Sequence, residues 1–291
     1  MLIRRYTLTP LLCGLSYLPL PWLRGIGTVM GRLLYKFSSQ KGRVRLSDNL
    51  LLTGMCSNDE LTTMSRRTAE ELCKTLIETI TIAWFRSKQY NAGLVNEMHG
   101  IELVETEISR GKAIVFLTPH IGNFEIALKA TAYRLKNNFT VLYKPAKDEW
   151  YNELMLNGRS EDNIKPVPIT ARGILSLVKA LRNHEYIGVL PDSVASQGDG
   201  VWVDFFGQRV FAATLAAKMS SVKDVATFVV GSRRVANGFV VEYIPYITTS
   251  DKPLTMTQEI YKIIESIVLK AREQYFWSYD RFRKPSHAPA E

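Results

Sequence analysis

A histidine and a glutamate separated by four residues form the part of this sequence that is best suited to chemistry. The apolar run 113–117 ahead of them predicts a buried strand, and the residues after them predict the start of a helix. Open α/β sheets bind ligands where their parallel strands end, so we expect His120 to lie at such an edge. The full stretch reads Thr118-Pro119-His120-Ile121-Gly122-Asn123-Phe124-Glu125.

An imidazole at this position could act as a general base, because an unperturbed histidine has a pKa of about 6.5. A neighbouring carboxylate would fix its tautomer, and we predict that Glu125 does so. Residues five apart on one helix point about 140° apart, so the pair can meet only if the chain folds back at Gly122 and Asn123. The stretch holds no Ser or Cys nucleophile, which favours direct activation of a substrate hydroxyl. The alternative is a hydrogen-bonded strand-end histidine beside an ordinary surface glutamate.

Positive charge dominates the chain, and most of all its beginning. The 291 residues carry a formal net charge of +9, and 46% of them are hydrophobic, enough to build one large core. Positions 1–47 contain no Asp or Glu, and their basic residues border apolar segments. This arrangement favours a membrane surface over nucleic acid, and an acidic carrier protein is a further class of partner. The basic residues are Arg4, Arg5, Arg24, Arg32, Lys36, Lys41, Arg43 and Arg45.

The first forty residues predict a membrane-anchoring segment. Residues 6–23 are uncharged and just long enough for a marginal spanning helix, but prolines interrupt them and should end a helix near Pro19. The apolar positions between Ile26 and Phe37 predict an amphipathic interfacial helix, and Arg24, Arg32 and Lys36 fall on its other, polar side. The alternative is an ordinary helix packed on the core. If the segment spans, the basic residues after it place the body in the cytoplasm. The apolar face holds Ile26, Val29, Met30, Leu33, Leu34 and Phe37.

The remainder, 41–291, predicts an α/β domain that is helical over 41–90 and contains a sheet over 111–291. Strand and helix patterns alternate, which indicates a central, mostly parallel (mixed) sheet covered by helices. Predicted strands cover 113–118, 140–143, 186–190, 226–230 and 239–243, with a hairpin through Phe206-Gly207. Predicted helices run from a capping box at 57–60 toward Trp84, and over 123–136, 148–158, 171–182, 212–220 and 256–275.

Further polar residues follow other predicted elements. Lys144 comes after a strand and Arg159 after a helix, and either could hold phosphate groups, although a solvated surface charge is the simpler reading. Asp192 follows the predicted strand 186–190.

The three cysteines have no metal-ligand spacing, so we expect reduced thiols and no metal.

With these motifs in place, the sequence resembles the late (secondary) acyltransferases of lipid A biosynthesis, of the lauroyl/myristoyl type. This family lies within the His-x4-acid superfamily of glycerolipid acyltransferases. The similarity covers nearly the whole chain, and the block Val203-Asp204-Phe205-Phe206-Gly207 and the ending around Trp277 and Arg281-Phe282 are its most specific parts. Many members have a histidine before that Arg-Phe pair, whereas here Trp277 is followed by Ser278-Tyr279-Asp280, so no role for that histidine carries over.

The resemblance implies a bacterial inner-membrane enzyme on the cytoplasmic face. Such an enzyme moves a fatty acyl chain from acyl carrier protein to a hydroxyl of a 3-hydroxyacyl chain on a lipid A precursor, without a cofactor. His120 would be the base and Glu125 its orienting acid. Lys144, Arg159, Asp192 and Asn123 would serve substrate binding. Two alternatives are an acyltransferase of the same superfamily with another lipid acceptor, and a non-catalytic membrane adaptor.

Overall fold

A computed structural model describes residues 2–195 and 199–289 of the chain, with side chains from residue 7 onward. Within these ranges, seven strands form a central sheet in the order β1-β9-β8-β2-β5-β3-β4, and β6 and β7 form a separate hairpin. Neighbours in the large sheet are parallel, apart from the antiparallel pair β8 and β9. The strands are β1 Val95–His99, β2 Ala113–Leu117, β3 Phe139–Tyr143, β4 Ile164–Pro168, β5 Tyr186–Val189, β6 Gly200–Phe205, β7 Gln208–Ala213, β8 Val225–Val235 and β9 Gly238–Tyr246.

Helices cover both faces of this sheet, so the predicted α/β class with a mostly parallel sheet is confirmed. The α-helices are α1 Leu2–Leu15, α2 Leu20–Phe37, α3 Gln40–Leu52, α4 Leu61–Glu78, α5 Lys88–Gly93, α6 Ile101–Ser109, α7 Phe124–Leu135, α8 Glu149–Arg159, α9 Ala171–Arg182, α10 Leu215–Ser220 and α11 Pro253–Leu269. A π-helical turn, Thr79–Ala83, extends α4, and a 3₁₀ turn, Arg272–Gln274, follows α11.

Strand β2 shows why this sequence forms a central strand. All five of its side chains are buried, which requires cover on both faces. Val115 and Leu117 pack into the apolar core on one face of the sheet, and Ile114 and Phe116 pack into the core on the other. The alternation follows from the two-residue period of a strand. The turn that carries His120 therefore begins at the end of a strand that is packed on both faces.

Two strands of the sheet were not predicted. Strand β1 lies at one edge and is only half-buried, so it lacks an apolar pattern. Strand β4 lies at the opposite edge and contains Pro166 and Pro168. Proline lacks an N–H group and is tolerated where a strand has a neighbour on one side alone. An edge position therefore explains why two prolines did not prevent this strand.

The N-terminal helices break near Pro19 as predicted, since α1 ends at Leu15 and α2 begins at Leu20, but Pro10 lies inside α1 and does not end it. Among the described residues, no helix combines the length and the apolar character needed to cross a bilayer. One prediction for this segment was wrong. Arg24 is not on an exposed basic face, because it is buried and its Nε lies 2.8 Å from the carboxylate of Glu78.

Two glycines bring α2 into close contact with α4. A Cβ atom on Gly31 would lie 2.4 Å from the Cα of Glu70, and one on Gly27 would lie 2.7 Å from the Cα of Lys74. Because the glycine face of α2 meets α4, several apolar side chains of α2 remain exposed. These are Trp22, Val29, Leu33, Leu34 and Phe37.

The glycine contact predicts opposite effects for two alanine substitutions in the same helix. Gly31→Ala should destabilise the protein by about 1–3 kcal/mol, because its methyl group meets the backbone of α4. Gly25→Ala is the matched control. No atom lies within 4 Å of the position that its methyl group would take, so it should stabilise the helix by roughly 0.5–1 kcal/mol. Chemical denaturation followed by circular dichroism measures both, and equal free energies of unfolding would refute the α2–α4 packing.

Candidate active site

The turn after β2 presents His120 and is built around a glycine. Gly122 has a φ of +58°, and a Cβ atom there would lie 1.8 Å from the carbonyl oxygen of Ser232. The side chain of Thr75 donates to the Gly122 carbonyl at 2.8 Å, and the Gly122 N–H donates to the Gln274 carbonyl at 3.1 Å. The turn is thus held by α4, β8 and the C-terminal part of the chain at once.

Asp192 lies directly beneath His120 and is completely buried. Its Oδ1 is 2.8 Å from Nδ1 of His120, and its Oδ2 accepts the His120 backbone N–H at 3.0 Å. Oδ2 also accepts the hydroxyl of Tyr275 at 2.9 Å and an Nη2–H of Arg281 at 3.2 Å. Burial opposes the ionised carboxylate, but the charges of His120 and Arg281 outweigh it and hold the pKa of Asp192 well below its ordinary value.

An ionised Asp192 fixes how His120 can react. Since a carboxylate only accepts hydrogen bonds, Nδ1 of the neutral imidazole carries the proton and Nε2 keeps its lone pair. The side chain of His120 is 27% exposed, and among the described residues we find no hydrogen-bond partner for Nε2. The rings of Phe124 and Phe276 flank the imidazole at 5.5 and 6.1 Å. This arrangement has the geometry that a general base with an orienting carboxylate requires, and it is exposed on one side.

The predicted partnership of Glu125 with His120 needs correction. Glu125 is buried in the first turn of α7, where Nε of Arg159 donates to its Oε1 at 2.6 Å and Nη2 donates to the same atom. Arg159, the last residue of α8, is therefore paired with a carboxylate. The physical reason is the helix itself, because α7 begins at Phe124 and directs Glu125 away from the turn. The carboxylate that contacts the imidazole of His120 is instead Asp192, which follows β5.

A small cavity of about 40 Å³ lies beside the Glu125–Arg159 pair. The ends of β2, β3 and β5 form its walls together with the first turns of α7, and most of its lining is apolar. Its apolar lining includes Phe124, Leu128, Val141, Leu142, Val189 and Leu190. The cavity puts an apolar surface next to a buried ion pair at the same edge of the sheet as His120.

Asn123 and Lys144 occupy contrasting positions. Asn123 is completely buried, its Oδ1 accepts the N–H of Ile126 and caps α7, and its Nδ2 lies 3.3 Å from Glu78. Its polar atoms are thus directed to protein groups rather than to an open surface. Lys144 follows β3 and is exposed, and it makes no hydrogen bond or ion pair with a described residue.

A third buried carboxylate, Glu78, was not predicted from the sequence. It accepts from Nε of Arg24 at 2.8 Å and from Nη2 of Arg234 at 2.7 Å. Burial opposes its charge, but the two arginines lower its pKa below the ordinary value. The sequence feature that could have revealed Glu78 is its position as the one charged residue in the run 76–85.

A histidine at the carboxyl end of a central parallel strand, hydrogen-bonded to a buried carboxylate, lies where α/β enzymes bind their substrates. Comparison with known proteins identifies which kind. Residues 5–284 match the model of the bacterial lipid A biosynthesis acyltransferases, and the chain belongs to this family. It is therefore an acyltransferase of lipid A biosynthesis.

Two relatives illustrate the similarity. The lipid A biosynthesis lauroyltransferase of Escherichia coli (strain K12) is 23% identical over 297 aligned positions, which cover 98% of this chain and 95% of that protein. A lipid A biosynthesis acyltransferase of Haemophilus influenzae is 28% identical over 189 positions, which cover 62% of this chain and 57% of that protein. Both names agree with the family.

The lowered pKa of Asp192 predicts an effect on acid stability. A carboxyl group with a lower pKa in the folded state contributes stability above its unfolded pKa of about 3.9 and loses it as pH falls further. At pH 7, Asp192→Asn should therefore be less stable than the wild type. The difference in free energy of unfolding should shrink as the pH is lowered from about 5 to 2. Urea titrations across this range measure it, and a constant difference would contradict an ionised Asp192.

Proposed function

We propose that this enzyme transfers a fatty acyl chain from acyl carrier protein to a hydroxyl of a 3-hydroxyacyl chain on a lipid A precursor. The observation that carries the proposal is the free Nε2 of His120, whose other nitrogen is held by a buried, ionised Asp192. A base in this state can take a proton from a hydroxyl without first losing one. The family supplies the acceptor class, since its members act in lipid A biosynthesis.

The reaction proceeds in one displacement without a covalent enzyme intermediate. Nε2 of His120 accepts the hydroxyl proton as the oxygen attacks the thioester carbonyl carbon. The carbon–sulfur bond then breaks, and the departing carrier thiolate takes the proton from His120, which restores the neutral base. Asp192 stabilises the imidazolium while it exists, as the triad aspartate does in serine proteases.

Glu125 and Arg159 serve the substrates in this proposal, not the base. Their ion pair borders the small apolar cavity at the carboxyl edge of the sheet. Glu125 fixes the plane of the Arg159 guanidinium, which is the group suited to a developing oxyanion or a phosphate. Lys144 is exposed near this edge and could reach a phosphate of the acceptor.

The charge of the chain supports both proposed partners. Acyl carrier protein is acidic and lipid A precursors carry phosphates, so a net charge of +9 favours encounter with each of them. No cofactor enters the proposed chemistry, since the thioester supplies the activated acyl group.

We also propose that the enzyme works at the cytoplasmic face of the inner membrane, held there by α2. Val29 and Phe37 are 56% and 74% exposed, and Leu33 and Leu34 lie exposed between them. Exposed apolar patches of this kind mark interaction surfaces. The exposed cations Arg32 and Lys36 lie on the same helix, which suits an anionic lipid surface.

For catalysis, His120→Ala should lower acyl transfer by about 10²–10⁴-fold or more, since the base is lost. Asp192→Asn should also cost at least about 100-fold, because an amide no longer enforces the Nδ1–H tautomer. Transfer from acyl carrier protein to a purified lipid A precursor, followed by mass spectrometry, measures both. The matched control is His99→Ala, which removes an exposed histidine at the end of β1 and should leave turnover unchanged.

A folded His120→Ala protein with wild-type turnover would reject the mechanism. Wild-type enzyme that fails to acylate the precursor, while gene deletion leaves the lipid A mass unchanged, would reject the acceptor. These two results are independent, so the experiment separates the chemistry from the choice of substrate.

For the membrane, the combined substitutions Val29→Ser, Leu33→Ser and Phe37→Ser should lower binding to anionic vesicles by more than about tenfold, since buried apolar side chains contribute about 1.5–3 kcal/mol each. Vesicle sedimentation at low and high salt measures the effect. The control protein carries Leu103→Ser, Leu175→Ser and Ile247→Ser, which are exposed positions on other elements. An equal loss in the control would place the anchor elsewhere.

A further inference from the structure

A segment near the C-terminus reaches back to the catalytic turn. We name residues 274–281 the C-terminal strap. Its Phe276 N–H donates to the His120 carbonyl at 3.0 Å, and Tyr275 forms a β-bridge with Ile121. Nδ2 of Asn49, on α3, fastens the strap by donating to the carbonyl of Trp277 at 2.7 Å. The strap is thus part of the wall of the site.

Two side chains of the strap contact Asp192 on the oxygen that does not face the imidazole. Oδ2 accepts the Tyr275 hydroxyl and an Nη2–H of Arg281, together with the His120 backbone N–H. Oδ1 is left for Nδ1 of His120 at 2.8 Å. With three donors on Oδ2, the carboxylate cannot rotate without losing hydrogen bonds. The strap therefore leaves Oδ1 of Asp192 to bind Nδ1 of His120 alone.

Arg281 also sets the local charge. Its side chain is 3% exposed, and the rings of Tyr275 and Tyr279 lie 5.1 and 5.3 Å from its guanidinium carbon. This arginine has electrostatic interactions with one carboxylate, Asp192, and with three tyrosines, Tyr275, Tyr279 and Tyr261 of α11. Since the tyrosines are neutral, the Asp192–Arg281 pair has no net charge beside His120. Without the arginine, a bare buried carboxylate would bind an imidazolium more tightly.

We propose that Tyr275 and Arg281 are positioning residues that orient Asp192 and limit how strongly it retains a protonated His120. The inference rests on the proposed role of His120 as the base. Orientation keeps the productive tautomer, and neutralisation by Arg281 keeps the imidazolium able to pass its proton to the leaving thiolate. Both tasks lie in the strap, more than 150 residues after His120 in the sequence.

The test is the pH dependence of kcat for acyl transfer, because a purely structural role would not move it. Tyr275→Phe removes a single hydroxyl, and kcat should fall about three- to tenfold while the acid limb of the profile moves to higher pH. Arg281→Met should move that limb further, by roughly one pH unit, since the imidazolium is then favoured. Arg281→Lys keeps the charge, so its limb should stay near the wild-type position even where kcat is reduced.

Tyr243→Phe is the matched control, because it removes a buried tyrosine hydroxyl of β9 that pairs with Thr131 of α7 and has no contact with Asp192. Its kcat and profile should equal those of the wild type. If Arg281→Met fails to fold, the Tyr275→Phe enzyme still tests the inference. A folded Tyr275→Phe enzyme with wild-type kcat and an unmoved acid limb would overturn the inference. Wild-type activity in His120→Ala would instead overturn the proposed function, so the two failures are distinguishable.

Discussion

The structure around the site depends on keeping one carboxylate ionised with no contact with water. Burial of an ion without compensation costs several kcal/mol, so Asp192 needs partners wherever it points. Those partners come from the turn after β2 and from the C-terminal strap, which are more than 150 residues apart in sequence. The order of the sheet, with β5 hydrogen-bonded to β2, brings Asp192 beneath His120 in the first place. The surroundings of His120 therefore depend on the whole fold.

The buried carboxylate of Glu78 extends this construction toward the N-terminal helices. Glu78 holds Arg24 of α2 and Arg234 of β8, and it also receives Nδ2 of Asn123 at the start of α7. The glycine contact between α2 and α4 lets Arg24 reach this position. The helix whose apolar side chains remain exposed is thus connected through one carboxylate to the turn that carries His120. A membrane-bound α2 would keep that turn in a fixed relation to the lipid surface.

Much of this architecture follows from local sequence patterns. The apolar run before His120 predicted β2, and strand–helix alternation predicted the α/β sheet, because both depend on periodicities within a few residues. The contact of His120 with Asp192 could not be predicted from such local patterns. Asp192 was recognised as closing a strand, but its contact with His120 depends on the order of strands in the sheet, which no local pattern encodes. Arg24 was misassigned for a similar reason, since helical spacing cannot say whether a basic residue finds a buried acid.

The contrast between Glu125 and Asp192 explains how a short motif can contain a carboxylate that is not the partner of its histidine. Glu125 sits on a helix that leaves the turn, and its charge is neutralised by Arg159 beside an apolar cavity. Asp192 sits in a loop fixed from several sides, and it accepts hydrogen bonds from His120, Tyr275 and Arg281. Each carboxylate holds a side chain that keeps polar groups for other contacts, since His120 keeps Nε2 and Arg159 keeps its remaining N–H groups. A motif of this spacing therefore contributes one member to each of two hydrogen-bonded pairs, and the fold brings both to the same edge of the sheet.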